Sequence, residues 1–174
     1  MHSGRSQTGT TRGALPPGSR GRPAITIRTV AADDLEQVQA LLLAAHLPLD
    51  GLHEQFGEGY AVAECEGRLI GAEGIERYGE AGLLRSAVVH PDWRGRGVGD
   101  ALTRDRLGWA EREGVLELWL LTTTAADYFP RFGFERASRD EAPPALQRSR
   151  EFADACPSSA IAMRRVTSAS STAH

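Results

Sequence analysis

At 174 residues, with 41% hydrophobic residues and a formal net charge of −3, the chain is the size of one domain able to bury its own core. This balance argues against a general nucleic-acid or polyanion binder, whose basic face would show as a strongly positive charge, so any anion site must be local. All 20 basic residues are arginine, which excludes a lysine nucleophile, a Schiff base and P-loop chemistry. Cys65 and Cys156 are neither close together nor set among histidines at metal-ligand spacing, so neither a disulfide framework nor a zinc site is expected, and a cytoplasmic location is. No apolar run approaches the ~18 residues of a membrane span, and the N-terminus lacks the apolar core of a signal peptide.

Residues 1–23, rich in Gly, Ser, Thr, Pro and Arg, have no hydrophobic periodicity and read as a disordered tail; residues 166–174 read as a second one. Residues 24–165 form the domain between them. AITIRTV, 24–30, alternates as a strand should, and Asp33 or Asp34 then caps a helix burying Leu35, Val38, Leu41, Leu42 and Ala45. Residues 47–59 hold too many breakers for a long element and suit a loop with one or two helical turns. YAVAEC and RLIGAEGIERY flank the turn residues Glu66 and Gly67 as a hairpin, and YGEAG turns into a third strand at 83–90, an antiparallel meander. A helix follows with Val98, Ala101, Leu102, Trp109 and Ala110 on one face, interrupted by Arg106 and stopped by Gly114. LELWLLTT is a buried strand, AADYFPRF a short helix, and FERAS and SAIAMRR two closing strands.

HPDWRGRGVGDAL, 90–102, places two arginines among glycines where a strand feeds a helix. The first turn of a helix offers unpaired N–H donors and the positive end of its dipole, and glycine lets a phosphate approach them. Arg94 and Arg96 add full charge around Gly95, Gly97, Val98 and Gly99. The alternatives are a glycine-rich surface turn and, less suited because the preceding strands form hairpins, a dinucleotide site. The pattern points to pyrophosphate.

These residues resemble the GNAT superfamily of acetyl-CoA-dependent N-acetyltransferases, whose signature R/Q-x-x-G-x-G/A matches Arg94, Gly97 and Gly99, with Val89-His90-Pro91 before it. AADYFPRFGFE, 125–135, is similar to the superfamily's second signature. The resemblance implies an α/β (α+β) fold with a mixed, mostly antiparallel sheet, a splayed central strand pair and flanking helices. It implies acetyl-CoA as co-substrate, with no metal: the backbone at Ala87, Val88 and Val89 would bond the pantetheine and thioester, while the loop from Gly95 to Asp100 wraps the pyrophosphate. A neutral amine would attack the thioester directly, with backbone amides polarising its carbonyl.

Members often place the thiolate's acid four residues before the Gly of Gly-Phe, where this chain has Phe129. Tyr128 lies one position earlier, rotated by about 100 degrees on a helix, and is either the acid or a packed or solvent-facing aromatic. Water and Cys156 are the other proton sources considered. For the base, Glu73 and Glu76 are three apart and face opposite sides of a strand, so at most one reaches the substrate; Glu76 is preferred over a solvated strand-face carboxylate. Arg85, four residues before Val89 and expected on the same face, suits a carboxylate or an oxyanion of arsenic or phosphorus on the acceptor, with Arg77 helping from the neighbouring strand. The alternative for either arginine is an ion pair with a nearby glutamate. His90 is a loop histidine or a base.

GLLRSAVVHPDWRGRGVG, LWLLTTTAADYFPRFGF and EFADACPSSAIAMRR together resemble the small acetyltransferases of bacterial arsenic-resistance gene clusters, with Cys156 to Ala160 carrying much of the likeness. That resemblance implies acetylation of a small, acidic, amino-acid-like amine, such as glutamate, phosphinothricin or its arsenic analogue. A protein or peptide N-acetyltransferase and a non-catalytic acetyl-CoA sensor are the rival readings. The expected partner is a small acceptor amine, not nucleic acid or membrane, with a homodimer compatible.

Overall fold

A computed structural model describes residues 23–155 and 158–168. The expected N-terminal tail up to residue 22, Cys156 and residues 169–174 therefore lie outside the described residues. Seven strands, β1 (Ile25–Thr29), β2 (Tyr60–Cys65), β3 (Arg68–Tyr78), β4 (Ala81–Val89), β5 (Glu117–Thr122), β6 (Glu135–Ala137) and β7 (Ile161–Val166), make one sheet in the order β1-β2-β3-β4-β5-β7-β6. Every pairing is antiparallel except β4 with β5. The sheet runs past the expected boundary at Arg165: Val166 pairs with Glu117, and buried Thr167 donates its N–H to Leu116 O.

Side-chain alternation sorts the core into two layers. Ile75, Leu84, Leu118, Leu120 and Met163 bury one face of the sheet under Leu107 and Ala110 of α3 (Val98–Arg112), with Val98 and Leu102 closing it over Ala61, Ala63 and Ile70. On the opposite face, Val62, Ala72 and Val88 meet Val38 and Leu42 of α1 (Leu35–Ala44) and Leu52 of α2 (Leu52–Gln55). Leu83 and Trp119 on that face meet Leu146 of α4 (Pro144–Gln147) and Phe152. Each such buried Leu or Phe contributes roughly 1.5–3 kcal/mol relative to an exposed one. Gly74 is fixed by this packing, because a Cβ there would strike the ring of Tyr60.

Two local expectations change. The short helix expected over AADYFPRF is present only as a 3-10 helix at Phe129–Phe132, since Pro130 has no N–H with which to continue a helix begun at Ala125. Arg106, which interrupts the apolar stripe of α3, is buried there because its Nη1 donates to Glu58 O at 3.1 Å, its Nε and Nη2 donate to Asp105 Oδ2, and its guanidinium lies 5.5 Å from the Trp109 ring centre.

Candidate active site

β4 and β5 run side by side only from Ala81↔Glu117 to Leu83↔Trp119. Beyond Leu83, β4 continues to Val89 with β3 as its one described strand partner, while β5 continues to Thr122 against β7. A gap therefore opens between the two strands, lined on one side by backbone that has no ladder partner there. Inside the gap β4 carries an extra residue: Ala72 and Gly74 pair with Val88 and Arg85, and Ser86 takes the left-handed conformation at φ 59°. That conformation costs a non-glycine residue about 1–2 kcal/mol. Ala87 emerges exposed, with Val88 buried beside it.

The extra residue corrects one expectation about Arg85. It inverts the alternation, so that Val89 packs beside α3 near Gly99 while Arg85 points to the other face. Four residues no longer bring a strand back to the same side.

At the end of β4 the chain turns through a 3-10 segment, Pro91–Trp93, into the glycine loop. Gly95 and Gly97 sit at φ 74° and 81°, Gly97 caps α3, and a Cβ on either would project into open space. Buried Val98 anchors the first turn, leaving the N–H groups from Val98 to Asp100 at the open end of a 15-residue helix. Arg94 and Arg96 are exposed beside them; Arg94 Nε donates to Val89 O at 3.3 Å and the Arg96 guanidinium lies 5.0 Å from the Trp93 ring centre. These residues fit a pyrophosphate. The Asp100 carboxylate does not face that opening freely, for it accepts from the Tyr128 hydroxyl at 2.7 Å and lies 3.6 Å from Arg131 Nη1. Only the Asp100 backbone can serve a phosphate.

Tyr128 is half-buried, edge-on to Phe129 and Phe132 at 5.1 and 5.3 Å, with its hydroxyl 3.4 Å from where a Gly99 Cβ would stand. Burial first, then the bond to Asp100, pushes its pKa up to about 12, so the hydroxyl keeps its proton at neutral pH. Phe129 is buried against Phe134 and cannot replace it. The His90 ring is a loop fixture: Nδ1 accepts from Asp92 N at 3.1 Å and Nε2 lies 2.9 Å from Arg68 Nη2.

Glu73 and Glu76 do face opposite sides of β3. Glu73 is buried beneath α3, where Thr103 Oγ1 lies 3.1 and 3.0 Å from its two oxygens; burial pushes its pKa up to about 8 despite that bond and nearby Arg106. Glu76 is also buried, so the solvated-carboxylate alternative is set aside; burial raises its pKa against the opposing pull of Arg85 and of the Tyr78 and Tyr60 hydroxyls. Those hydroxyls donate to it at 3.1 and 3.4 Å.

Arg85 is buried and bonded at each of its three nitrogens: Nη1 lies 3.4 Å from Glu76 Oε2, Nε 3.1 Å from Glu151 Oε2, Nη2 donates to Pro48 O at 3.1 Å, and Nη1 also donates to Asp50 O. The ion-pair alternative is the one realised, which removes its donors from direct recognition of an acceptor. Arg77 does not join it. One residue on from Glu76, its side chain turns to the α3 face and lies 3.7 Å from Glu113 Oε2.

A cavity of about 270 Å³ adjoins this cluster. Its floor is Glu76 and Tyr78; its walls are Gly51, Glu54 and Gln55 from the α2 segment and Arg148, Ser149 and Arg150 after α4. Glu151, Arg148 and Arg150 escaped the sequence reading because they lie in a stretch of short turns without periodicity. Tyr60 and Tyr78 look like ordinary strand aromatics; cross-strand register aims Tyr60 at Glu76, and the two-residue period of β3 puts Tyr78 on the same face as Glu76. Among the described residues, no cluster of three or more His, Cys, Asp or Glu could hold a metal, and no helix is long and apolar enough to cross a membrane.

Comparison with known proteins agrees with this architecture. Residues 56–136 match the family model of the acetyltransferase (GNAT) domain. An uncharacterised N-acetyltransferase of Methanocaldococcus jannaschii is 28% identical over 137 residues, covering 63% of this chain and 60% of that protein. An amino-acid acetyltransferase of Neisseria meningitidis is 26% identical over 128 residues, covering 68% of this chain and 29% of that protein. The N-acetylglutamate synthase of Neisseria gonorrhoeae, solved with coenzyme A and N-acetyl-glutamate, superposes with a TM-score of 0.71 at 20% identity, over 84% of this chain and 36% of that one. The chain thus spans less than two thirds of the length of each of these proteins. Its fold is the GNAT fold: a mostly antiparallel mixed sheet, split between β4 and β5, with helices on both faces.

Proposed function

We propose that this GNAT acetyltransferase domain is an N-acetyltransferase that transfers the acetyl group of acetyl-CoA to the amine of a small, acidic, amino-acid-like acceptor. The observation that carries this reading is the placement of Glu76: a buried carboxylate of raised basicity forms the floor of a cavity sized for a small metabolite, beside the point where β4 and β5 part. Matches to amino-acid acetyltransferases and to an N-acetylglutamate synthase support the acceptor class.

Acetyl-CoA supplies an activated thioester, and the residues present fit it. Gly95 and Gly97 leave the loop open to a pyrophosphate, the first turn of α3 and Arg94 and Arg96 complement its charge, and the freed edge of β4 at Ala87 to Val89 offers backbone bonds to an extended arm. Glu76 takes the proton from the acceptor's ammonium, so that the nitrogen lone pair can form the new N–C bond while the C–S bond breaks. Its raised pKa makes it a stronger base than a surface glutamate. Arg85 is a positioning residue, holding Glu76 and Glu151 and tying both to the carbonyls of Pro48 and Asp50. Tyr128 carries the nearest phenol proton to the glycine loop, yet that proton is held on Asp100 and its pKa is raised to about 12; a thiolate of ordinary basicity near ~8.5 can leave as the anion and be protonated afterwards from the buffered solvent.

Free-thiol release from acetyl-CoA, measured with acidic amino acids, their phosphinate and arsinate analogues, and N-terminal peptides, tests this reading. Turnover with one acidic amino acid or its oxyanion analogue is expected. Turnover with peptides alone, or acetyl-CoA binding without any turnover, overturns it in favour of a protein acceptor or a sensor.

A further inference from the structure

The cavity over Glu76 is bordered by four charged side chains, and three are already matched. Arg150 Nη2 lies 3.0 Å from Glu54 Oε1, and Glu76 shares the guanidinium of Arg85. Arg148 is exposed and, among the described residues, its guanidinium makes no ion pair and no hydrogen bond. Its backbone, by contrast, is held firmly. Arg148 N donates to Pro144 O at 3.2 Å, buried Leu146 anchors α4 on one side, and on the other buried Ser149 donates its N–H to Leu146 O at 2.9 Å. A fixed stem with a free planar cation at the mouth of a cavity is the arrangement that suits bidentate capture of an oxyanion.

Resting on the acceptor site read above, we infer that Arg148 selects the substrate: it pairs with a carboxylate, or an equivalent phosphinate or arsinate, on an acceptor whose amine lies at Glu76. The cavity then presents a base at its floor and a cation at its rim, the complement of an amine and an acid joined by a short spacer. Arg85, the residue the sequence favoured for this task, is buried and already paired with Glu76 and Glu151. Arg150 is held on Glu54 and lends its charge to the rim rather than a free guanidinium.

The test uses the best acidic acceptor, its amide-capped counterpart, and the variants Arg148→Gln and Arg148→Lys. Because Arg148 is exposed, neither variant disturbs the core. With the acidic acceptor, Arg148→Gln is expected to raise KM roughly tenfold while kcat and the KM for acetyl-CoA change by less than about threefold, and Arg148→Lys falls between. With the amide-capped acceptor, wild type and Arg148→Gln should coincide. Equal loss on both acceptors, or no loss on either, overturns the assignment while leaving the acetyltransferase reading intact. A wild type that binds acetyl-CoA but acetylates neither acceptor overturns the acceptor site itself. Comparing carboxylate, phosphinate and arsinate acceptors tells which oxyanion Arg148 prefers, and a KM unaffected by Arg148→Gln for all three counts against it.

Discussion

Glu73 and Glu76 stand three residues apart on one strand, both buried and both raised above the ordinary glutamate range, yet the two faces of the sheet give them opposite surroundings. Under α3, Glu73 meets a threonine hydroxyl in a closed layer and carries its proton at neutral pH. Under the α2 and α4 segments, Glu76 meets an arginine, two tyrosine hydroxyls and a cavity. Burial alone therefore does not make a base. What separates the two is the cavity over Glu76 and its direct ion pair with Arg85, and on these the proposal of Glu76 as the base rests.

The same division holds for the helices. The α3 face supplies the open glycine loop and Tyr128, and the opposite face supplies the cavity proposed for the acceptor, so on that proposal a substitution on one side should leave the other's ligand untouched. Gly97→Val is the harshest such test: a side chain in the loop's opening, at φ 81°, is expected to weaken acetyl-CoA binding at least a hundredfold by calorimetry. The fold itself should lose only the ~1–2 kcal/mol of a strained φ. Unchanged acetyl-CoA affinity would dissolve the distinction between the faces.

Arg85→Ala strikes the opposite face. It strands Glu76 and Glu151 without their shared guanidinium, and urea unfolding should show a loss of about 3–5 kcal/mol, against less than ~1 kcal/mol for Arg77→Ala, whose pair with Glu113 is exposed. Similar small losses for both would mean that Arg85 is not the buried keystone described.

Glu73→Gln sharpens the contrast through pH. The folded pKa near 8 lies above the unfolded value of roughly 4.3, so between these values the native state holds more protons and its stability falls as pH rises. The stability is fully present below the unfolded pKa and is lost by the time pH passes the folded one. Glutamine removes that slope, so the variant should gain on wild type steadily from pH 5 to pH 8 in unfolding experiments, and parallel curves would contradict the assignment. Tyr128→Phe should do least, keeping kcat within about tenfold, since the hydroxyl's proton is committed to Asp100. A larger loss would restore Tyr128 as the acid.

Most of the sheet and α3 were legible because alternation and a 3.6-residue stripe record which side of an element is buried, and the Arg-Gly loop was legible because only a backbone needing positive φ and close approach uses glycines in that pattern. Ser86 defeated the register. A left-handed serine leaves no glycine to mark the bulge, and one uncounted residue sent Arg85 to the other face from Val89. The stretch from 138 to 155, which brings Arg148, Ser149 and Arg150 to the cavity and Glu151 to Arg85, is made of turns too short to show a period. Arg106 was readable as an interruption, but its partner, the Glu58 carbonyl, is a backbone atom on a distant loop.

The pH dependence of kcat/KM for wild type and Glu76→Gln, measured with the best acceptor, tests the central claim most directly. A base must be unprotonated, so wild-type activity should fall as pH drops through a pKa raised above the usual glutamate range. In Glu76→Gln that acid limb should vanish, with kcat/KM down by roughly 10²–10⁴-fold and acetyl-CoA affinity unchanged. A variant that keeps both its turnover and its acid limb would contradict the account and move the base elsewhere.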